Sequence, residues 1–157
     1  MRRAFADNSN TRLQLLSAAA LARCGDPKAT AFLRHQLKTG EPENARIAGW
    51  VLGRIGSVED IPALQKRRDH SETALQRVFH QNSLVLLGDP AGLRGLADHL
   101  SSSDAATRTY GATYAGETRA IQTQSQLIRL LDDTVLDVRI RTAQSLLVLN
   151  TPPPAER

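Results

Sequence analysis

Histidine, cysteine and paired carboxylates are the side chains of this 157-residue chain that could carry catalysis or bind a metal. The histidines and the single cysteine are His35, His70, His80, His99 and Cys24. None of them stands at a spacing typical of metal ligands, and the nearest pattern is His70-Ser71-Glu72. No serine elbow or glycine-rich phosphate loop is present. The sequence therefore predicts no catalytic residue, no metal site and no cofactor, and so a protein that is not an enzyme.

The other reactive side chains have structural interpretations. Cys24 and His80 fall in columns of a repeat pattern that should face the interior, which predicts a buried, unreactive thiol and a hydrogen-bonded histidine. Asp132 and Asp133 precede an apolar helical pattern, so they are expected to cap that helix. A single cysteine excludes an internal disulfide and is typical of a reducing compartment.

The elements that would position these residues come from a short helical pattern that recurs five times. Its copies end at Gly25, Gly56, Gly88, Thr118 and Asn150, with spacings of 31, 32, 30 and 32 residues. A fixed period in this range predicts a stacked array of helical repeats. Apolar and small residues recur three and four positions apart before each anchor, which places them on one helical face.

Each repeat is predicted to be a helix, a tight turn and a second helix. Gly25 and Gly88 are expected to end a helix in the left-handed conformation, before an aspartate cap and a proline. The leucines of the fourth repeat lie one place late, which indicates a one-residue insertion within 116–119. The predicted helices, with ends good to about 2–4 residues, are 11–24, 27–38, 43–55, 58–68, 73–87, 90–100, 104–116, 120–131 and 134–149.

Two segments resemble the first helix of HEAT-like repeats. They read RIAGWVLGRIG at 46–56 and VRIRTAQSLL at 138–147. The similarity covers about residues 11–150 and is greatest to the short bacterial form that is also found in phycobilisome lyases. It implies an all-α, right-handed α-solenoid of about four and a half helical-hairpin repeats. We expect one HEAT-like repeat domain over residues 1–150, and the prolines that follow predict a disordered tail at 151–157.

Basic residues are concentrated in the first half of the chain. Residues 1–70 carry a net charge of +5 and residues 71–157 a net charge of −1. In HEAT-like repeats the second helices usually line the concave side, and here their polar positions form a basic ridge. The basic ridge is defined by Arg34, His35, Lys38, Lys66, Arg67 and Arg94. We expect this surface to receive an acidic protein segment or a phosphate backbone, while a simple solvated helix face explains the same pattern.

Trp50 is the one tryptophan of the chain. Its column in the other repeats holds Ala19, Asn82, Ala112 and Gln144. This composition predicts a solvent-facing position, from which a tryptophan can anchor a partner protein. The alternative is that the indole lies over its own repeat against Arg46 or Arg54, one turn away.

These patterns favour a non-catalytic scaffold or adaptor that binds another protein through the basic ridge and Trp50, with an acidic surface on the partner. Nucleic-acid binding along the ridge is the second alternative, weakened by the lack of interleaved aromatic residues. A bilin lyase or chaperone is the third, implied by the resemblance alone.

The fifth repeat has a first helix and no second one. We expect this uncapped helix to meet another copy, a partner protein or a further part of a longer chain. No apolar run is long enough to span a bilayer, and no apolar stretch of the kind found in secretory signals follows the first residues. The predicted location is therefore the cytoplasm.

Overall fold

The computed structural model describes residues 1–7 and 9–152, and the regular structure in them is entirely helical. The α-helices are α1 (Arg2–Ala6), α2 (Thr11–Arg23), α3 (Pro27–Thr39), α4 (Pro42–Ile55), α5 (Ile61–Asp69), α6 (Ala74–Leu86), α7 (Pro90–Leu100), α8 (Ala105–Glu117), α9 (Gln124–Leu130) and α10 (Leu136–Asn150). Single 3-10 turns, Val58–Asp60 and Ile121–Thr123, precede α5 and α9. Of the predicted tail, residues 153–157 lie outside the described residues. No helix in the described part of the chain combines the length and hydropathy that a membrane span requires.

The helices fall into two compact units. The first, Met1–Asp89, contains α1 to α6, and the second begins at Pro90 and contains α7 to α10. In the first unit α2 packs on α3 and α4 on α6, while equivalent helices of successive hairpins, α2 with α4 and α3 with α5, also pack together. In the second unit α8 packs on α7 and α10, and α10 packs on α9.

Each unit therefore stacks its helices as an α-solenoid does, and the predicted all-α helical-repeat fold is confirmed. The right-handed sense of the stack and the grouping of residues 1–150 into one domain stay predictions. The helix ends agree with the predicted ones to within about four residues.

Glycine ends the first helix of the first and third repeats, as predicted. Gly25 and Gly88 both have φ of +83°, in the left-handed region. The amide of Asp26 then donates to the carbonyl of Leu21 at 3.1 Å, which closes a Schellman turn. The side chain of Asp26 caps α3 by accepting from two backbone amides, with Pro27 at the first helical position.

The fourth repeat makes the same turn at Arg119, one residue after the predicted anchor Thr118. Arg119 has φ of +50°, and the amide of Ala120 donates to the carbonyl of Ala115 at 2.9 Å, in the pattern seen at Gly25. Arg119 is thus the equivalent of Gly25 and Gly88, and Leu127 follows it by eight residues, as Leu33 follows Gly25 and Leu96 follows Gly88. The predicted one-residue insertion is therefore wrong. The choice of Thr118 as the anchor was wrong by one position: α8 has 13 residues, as α2 and α6 do, and its turn residue is Arg119.

Small residues let the first helices approach closely. A Cβ atom on Gly53 of α4 would lie 2.7 Å from the Cα of Ser83 in α6, and one on Gly49 would lie 3.0 Å from Nδ1 of His80. The core beside this contact consists of fully buried leucines, among them Leu15, Leu33, Leu52, Leu64 and Leu84. Burial of each such side chain contributes about 1.5–3 kcal/mol.

Two sequence expectations were wrong. Cys24 is exposed, because it is the residue that caps the end of α2 with non-helical dihedrals and lies past the helix's inward face. Asp133 accepts the Val135 amide just before α10, but its carboxylate mainly forms a two-pronged ion pair with Arg108 of α8 at 2.7 and 3.0 Å. It therefore links neighbouring repeats more than it caps a helix.

Candidate binding site

The basic ridge begins at Arg34 on α3, and its guanidinium is already paired. Its Nε donates to Oδ1 of Asp60 at 2.8 Å and one terminal nitrogen donates to Oδ2 at 3.1 Å. Asp60 is buried and also accepts the Ser57 amide, so it completes the capping box before α5. This hydrogen bond raises the pKa of Arg34 above its ordinary value. Arg34 thus links α3 to the start of α5, and its guanidinium is already engaged within the protein.

Arg67 on α5 forms hydrogen bonds with backbone carbonyls at the end of α3. Its Nε donates to the carbonyl of Leu37 at 2.6 Å, and a terminal nitrogen donates to the carbonyl of Gly40 at 2.7 Å. The last carbonyls of a helix have no partner within the helix, and a cation there also compensates the helix dipole. The fork of Arg67 satisfies two of them at once. This side chain stabilises the hairpin stack, which the charge pattern alone did not indicate.

Between α3 and α5 lies a groove of about 550 Å³, which we call the α3–α5 groove. It is lined by Leu37, Lys38, Pro62, Ala63, Lys66, Arg67 and His70. Its floor is apolar and its rim is cationic, with no carboxylate in the lining. The structure therefore brings together three members of the predicted ridge, Lys38, Lys66 and Arg67, and adds His70, which was not among the predicted ridge residues.

The two histidines near this groove are held by their own helices. Nδ1 of His70 lies 2.8 Å from the carbonyl of Lys66 and therefore carries the hydrogen of that bond. The Nε2 atom of a neutral His70 is then an acceptor. His35 is exposed on α3, with Nε2 3.1 Å from the hydroxyl of Thr39. It does not line the groove.

The last predicted ridge residue lies in the other unit. Arg94 is exposed on α7, the first helix of the second unit. The ridge residues that line the α3–α5 groove, Lys38, Lys66 and Arg67, all belong to the first unit.

Trp50 lies on α4, a first helix, and so does not belong to the α3–α5 groove. Its side chain is 38% exposed, and the guanidinium of Arg54 stacks 4.2 Å from the ring centroid. Arg46 lies instead over Phe79, at 4.7 Å. The indole is thus both packed against its own helix and partly open to solvent.

The column that suggested an exposed tryptophan is not uniformly exposed. Asn82 and Ala112 are fully buried, whereas Gln144 is exposed. The column argument was therefore wrong for the third repeat, and in the fourth repeat Ala112 was assigned to the column only because the anchor was placed at Thr118 instead of Arg119.

His80 is buried in α6, as its column predicted, but the expected hydrogen bond is absent from the described structure at Nδ1. This nitrogen faces the backbone of Gly49, where the two helices touch. Burial, together with the smaller effects of the nearby charges of Arg67 and Arg46, lowers the pKa of His80 to about 4. The imidazole is thus neutral at physiological pH and acts as a packing group.

Convergent chemistry of other kinds is lacking in the described residues. No group of three or more histidine, cysteine or acidic side chains is placed to hold a metal ion among residues 1–7 and 9–152. The perturbed pKa values belong to Arg–Asp pairs, to helix-capping aspartates and to His80. The α3–α5 groove is the feature that best suits recognition of another molecule.

Comparison with known proteins adds a family to this geometry. Residues 2–79 match the family model for HEAT repeats. This segment is similar to HEAT repeats. It contains α1 to α5 and part of α6, so both walls of the α3–α5 groove lie within the matched segment. A search of curated proteins gives no match.

Proposed function

We propose that this protein is a non-catalytic scaffold or adaptor that binds an acidic segment of another protein in the α3–α5 groove. HEAT repeats generally serve as protein-binding scaffolds, and the matched segment contains the groove. The observation that carries the proposal is the lining of the groove: the apolar side chains of Pro62 and Ala63 lie beside the cations Lys38 and Lys66, without a carboxylate. Such a surface complements a peptide that carries acidic side chains around an apolar anchor.

The expected affinity is modest. Exposed ion pairs contribute only about 0.2–1 kcal/mol each, so two lysines alone give weak binding. An apolar side chain that buries about 100 Å² in the groove adds about 2.5 kcal/mol. The basic groove also steers an acidic partner during encounter, which raises the association rate at low salt. We therefore expect specific but reversible docking.

Charge reversal at the groove tests the proposal. Arg34→Glu is a poor choice, because it would leave buried Asp60 facing a second carboxylate. Lys38→Glu combined with Lys66→Glu changes two exposed side chains instead. The matched control is Lys28→Glu combined with Arg129→Glu, which makes the same charge change at exposed positions away from the groove.

The measurement is fluorescence anisotropy of a labelled peptide of alternating acidic residues around one central leucine. Reversal at Lys38 and Lys66 should weaken binding by about tenfold or more, whereas the control should change it by less than about twofold. If both variants lost the same affinity for the peptide, the effect would be due to net charge and not to the groove. No binding by the parent protein would remove the proposal.

Nucleic acid is the second candidate for the same cations, since a phosphate backbone also seeks a positive groove. The lining contains no aromatic side chain on which bases could stack, and this disfavours it. A labelled single-stranded oligonucleotide, titrated beside the peptide at two salt concentrations, separates the two. Tighter binding of the oligonucleotide with a steep loss in added salt would favour nucleic acid.

The finer family assignment is also a proposal. The segment at 46–56 resembles the short bacterial HEAT-like form that is found in phycobilisome lyases. We also propose that the protein lies in the cytoplasm and has no catalytic activity. If the purified protein retained a bilin, seen by its visible absorbance, a function as a bilin lyase would be favoured instead.

A further inference from the structure

The outer face of α10, the last helix of the second unit, is apolar and exposed. We infer that this face is a docking site for a second copy of the chain, in which the two α10 helices pack antiparallel. Its exposed residues, which we call the α10 stripe, are Leu136, Ile140, Ala143 and Leu147. The α10 stripe shares no residue with the α3–α5 groove, so the inference does not depend on the proposed function.

The spacing of the α10 stripe is typical of a seam between two helices. Its members lie four, three and four residues apart, as apolar residues do in a coiled coil. The opposite side of α10 is already covered, since Val138, Thr142 and Ser145 are buried. By contrast, Leu147 is 69% exposed. Helix α10 therefore carries two packing faces, and the second unit covers one of them.

The register of the repeats places the α10 stripe in a stacking position. In α8 the residues that contact α10 include Ala112 and Gly116. The hydroxyl of Ser145 on α10 donates to the Ala112 carbonyl at 2.7 Å, and a Cβ atom on Gly116 would lie 2.9 Å from the Cα of Ser145. One repeat of 31 residues later, the same positions are Ala143 and Leu147. The exposed face of α10 is therefore equivalent to a face of α8 that packs against another first helix.

Helix α9 extends this surface. Its exposed residues Ile128 and Leu131 follow their turn by nine and twelve residues, as Arg34 and Leu37 do in α3. Arg34 and Leu37 join α3 to the next helical hairpin, through an ion pair and a backbone hydrogen bond. The α10 stripe, together with Ile128 and Leu131, forms what we call the end face. All of the end face is thus in the register that stacks helical hairpins on one another.

Side-chain size favours pairing of α10 with its own copy. Gly53 and Gly116 let first helices approach closely within each unit, whereas Leu147 at the same position is too large for that approach. Antiparallel pairing about a two-fold axis sets Ile140 opposite Ala143 of the second copy, and Leu136 opposite Leu147. Large residues then meet small ones at the centre of the seam, which gives close packing without a glycine.

Charge also favours a second copy. Residues 90–157 contain seven arginines and seven acidic residues, so the second unit has no net charge. The α10 stripe itself contains no charged side chain. Two copies therefore do not repel each other through this unit, and the seam does not select a partner of opposite charge.

The size of the end face sets the expected affinity. Helix α10 has 15 residues and is about 22 Å long, and two adjacent helices are about 20 Å wide. The end face therefore covers about 450 Å² on each copy, against about 800 Å² per partner in a standard interface. We therefore expect a reversible dimer at micromolar concentration and above.

Sedimentation equilibrium of the full chain, from low to several hundred micromolar, measures the association. The parent protein should form a dimer and no larger species, because a two-fold interface is closed. Leu147→Glu should raise the dimer dissociation constant by about tenfold or more, since it places carboxylates in an apolar seam. Leu16→Glu is the matched control, because Leu16 is 57% exposed on α2 in the first unit, and it should change the constant by less than about twofold. Circular dichroism verifies that each variant is folded.

Disulfide cross-linking tests the orientation. Cys24 is the one cysteine of the chain and is first replaced by Ser. Ile140→Cys and Ala143→Cys are then made as two separate proteins on that background. Antiparallel pairing predicts that a mixture of the two cross-links faster than either protein alone, because the two positions face each other across the seam.

Four results would overturn the inference. The first is a parent protein that stays monomeric over the whole concentration range. The second is an equal loss of association in Leu16→Glu and Leu147→Glu, and the third is growth beyond a dimer, which would indicate head-to-tail stacking. The fourth is faster cross-linking of Ile140→Cys alone than of the mixture, which would indicate parallel helices. The Lys38→Glu, Lys66→Glu variant should still dimerise, which separates this test from that of the proposed function.

Discussion

Arg67 and Lys66 are adjacent on α5, but Arg67 bonds to backbone carbonyls of α3 and its C-cap whereas Lys66 is exposed to solvent. Replacing Arg67 with Met keeps the aliphatic stem and removes the two bonds to the carbonyls of Leu37 and Gly40. Hydrogen bonds from a charged donor contribute about 1.5–3 kcal/mol each. Arg67 is half-buried, and water can reach part of the vacated space. We therefore expect a loss of about 2 kcal/mol in the free energy of unfolding of the first unit.

Lys66→Met is the matched control, since Lys66 is exposed. Its effect should stay within about 0.5 kcal/mol. Trp50 lies in the first unit, so its fluorescence during urea unfolding reports on that unit. For a unit of this size about 1 kcal/mol moves Tm by about 4–8 °C, which predicts a drop of about 8–16 °C for Arg67→Met. If the two variants were equally stable, the assignment of Arg67 to the end of α3 would be refuted.

Three further predictions concern pH, backbone strain and association. His80 has a pKa of about 4 when folded and an ordinary value near 6.5 when unfolded, so the unfolded chain binds more protons between these values. As pH drops from about 6 to 4, the free energy of unfolding of the first unit should therefore fall by about 1.4 kcal/mol for each pH unit. Gly88→Ala should cost about 1 kcal/mol in urea unfolding, because φ is +83° while a Cβ would meet nothing within 4 Å. Leu136 and Leu147 are 59% and 69% exposed on α10, and changing both to Glu should reduce any self-association seen by sedimentation.

Each of these has its own control. His80→Gln removes the titrating ring, and a pH slope that survives it would assign the effect to other groups. Arg119→Gly is the reverse of Gly88→Ala, since Arg119 already has a positive φ, and destabilisation by that glycine would contradict the strain argument. A parent protein that stays monomeric at high concentration would remove self-association from the account.

The sequence was most informative about turns and least informative about side-chain partners. Glycine, aspartate and proline carry local conformational preferences, so the turn at Gly25 could be predicted without tertiary contacts. The turn at Arg119 was placed one residue early, because a non-glycine residue gives no local sign that it takes a positive φ.

Ion pairs between repeats were not predictable in the same way. Arg34 lies 26 residues from Asp60, and Arg108 lies 25 residues from Asp133. Their pairing depends on how successive hairpins stack, and a charge count treats the two arginines like the free lysines. The charge pattern therefore did not separate the arginines that pair within the stack from the lysines that stay exposed. Lys38 and Lys66 are the exposed cations of the basic ridge, whereas Arg34 and Arg67 hold the stack together.

The central claim is that the α3–α5 groove receives an acidic segment. Its most direct test is a titration of the isotopically labelled protein with the acidic, leucine-containing peptide, followed by amide chemical shifts. The account predicts saturable shifts that concentrate at the end of α3 and along α5, including Lys38, Lys66 and His70, and that vanish in the Lys38→Glu, Lys66→Glu variant. Shifts that concentrate on other helices, or that persist in that variant, would contradict it.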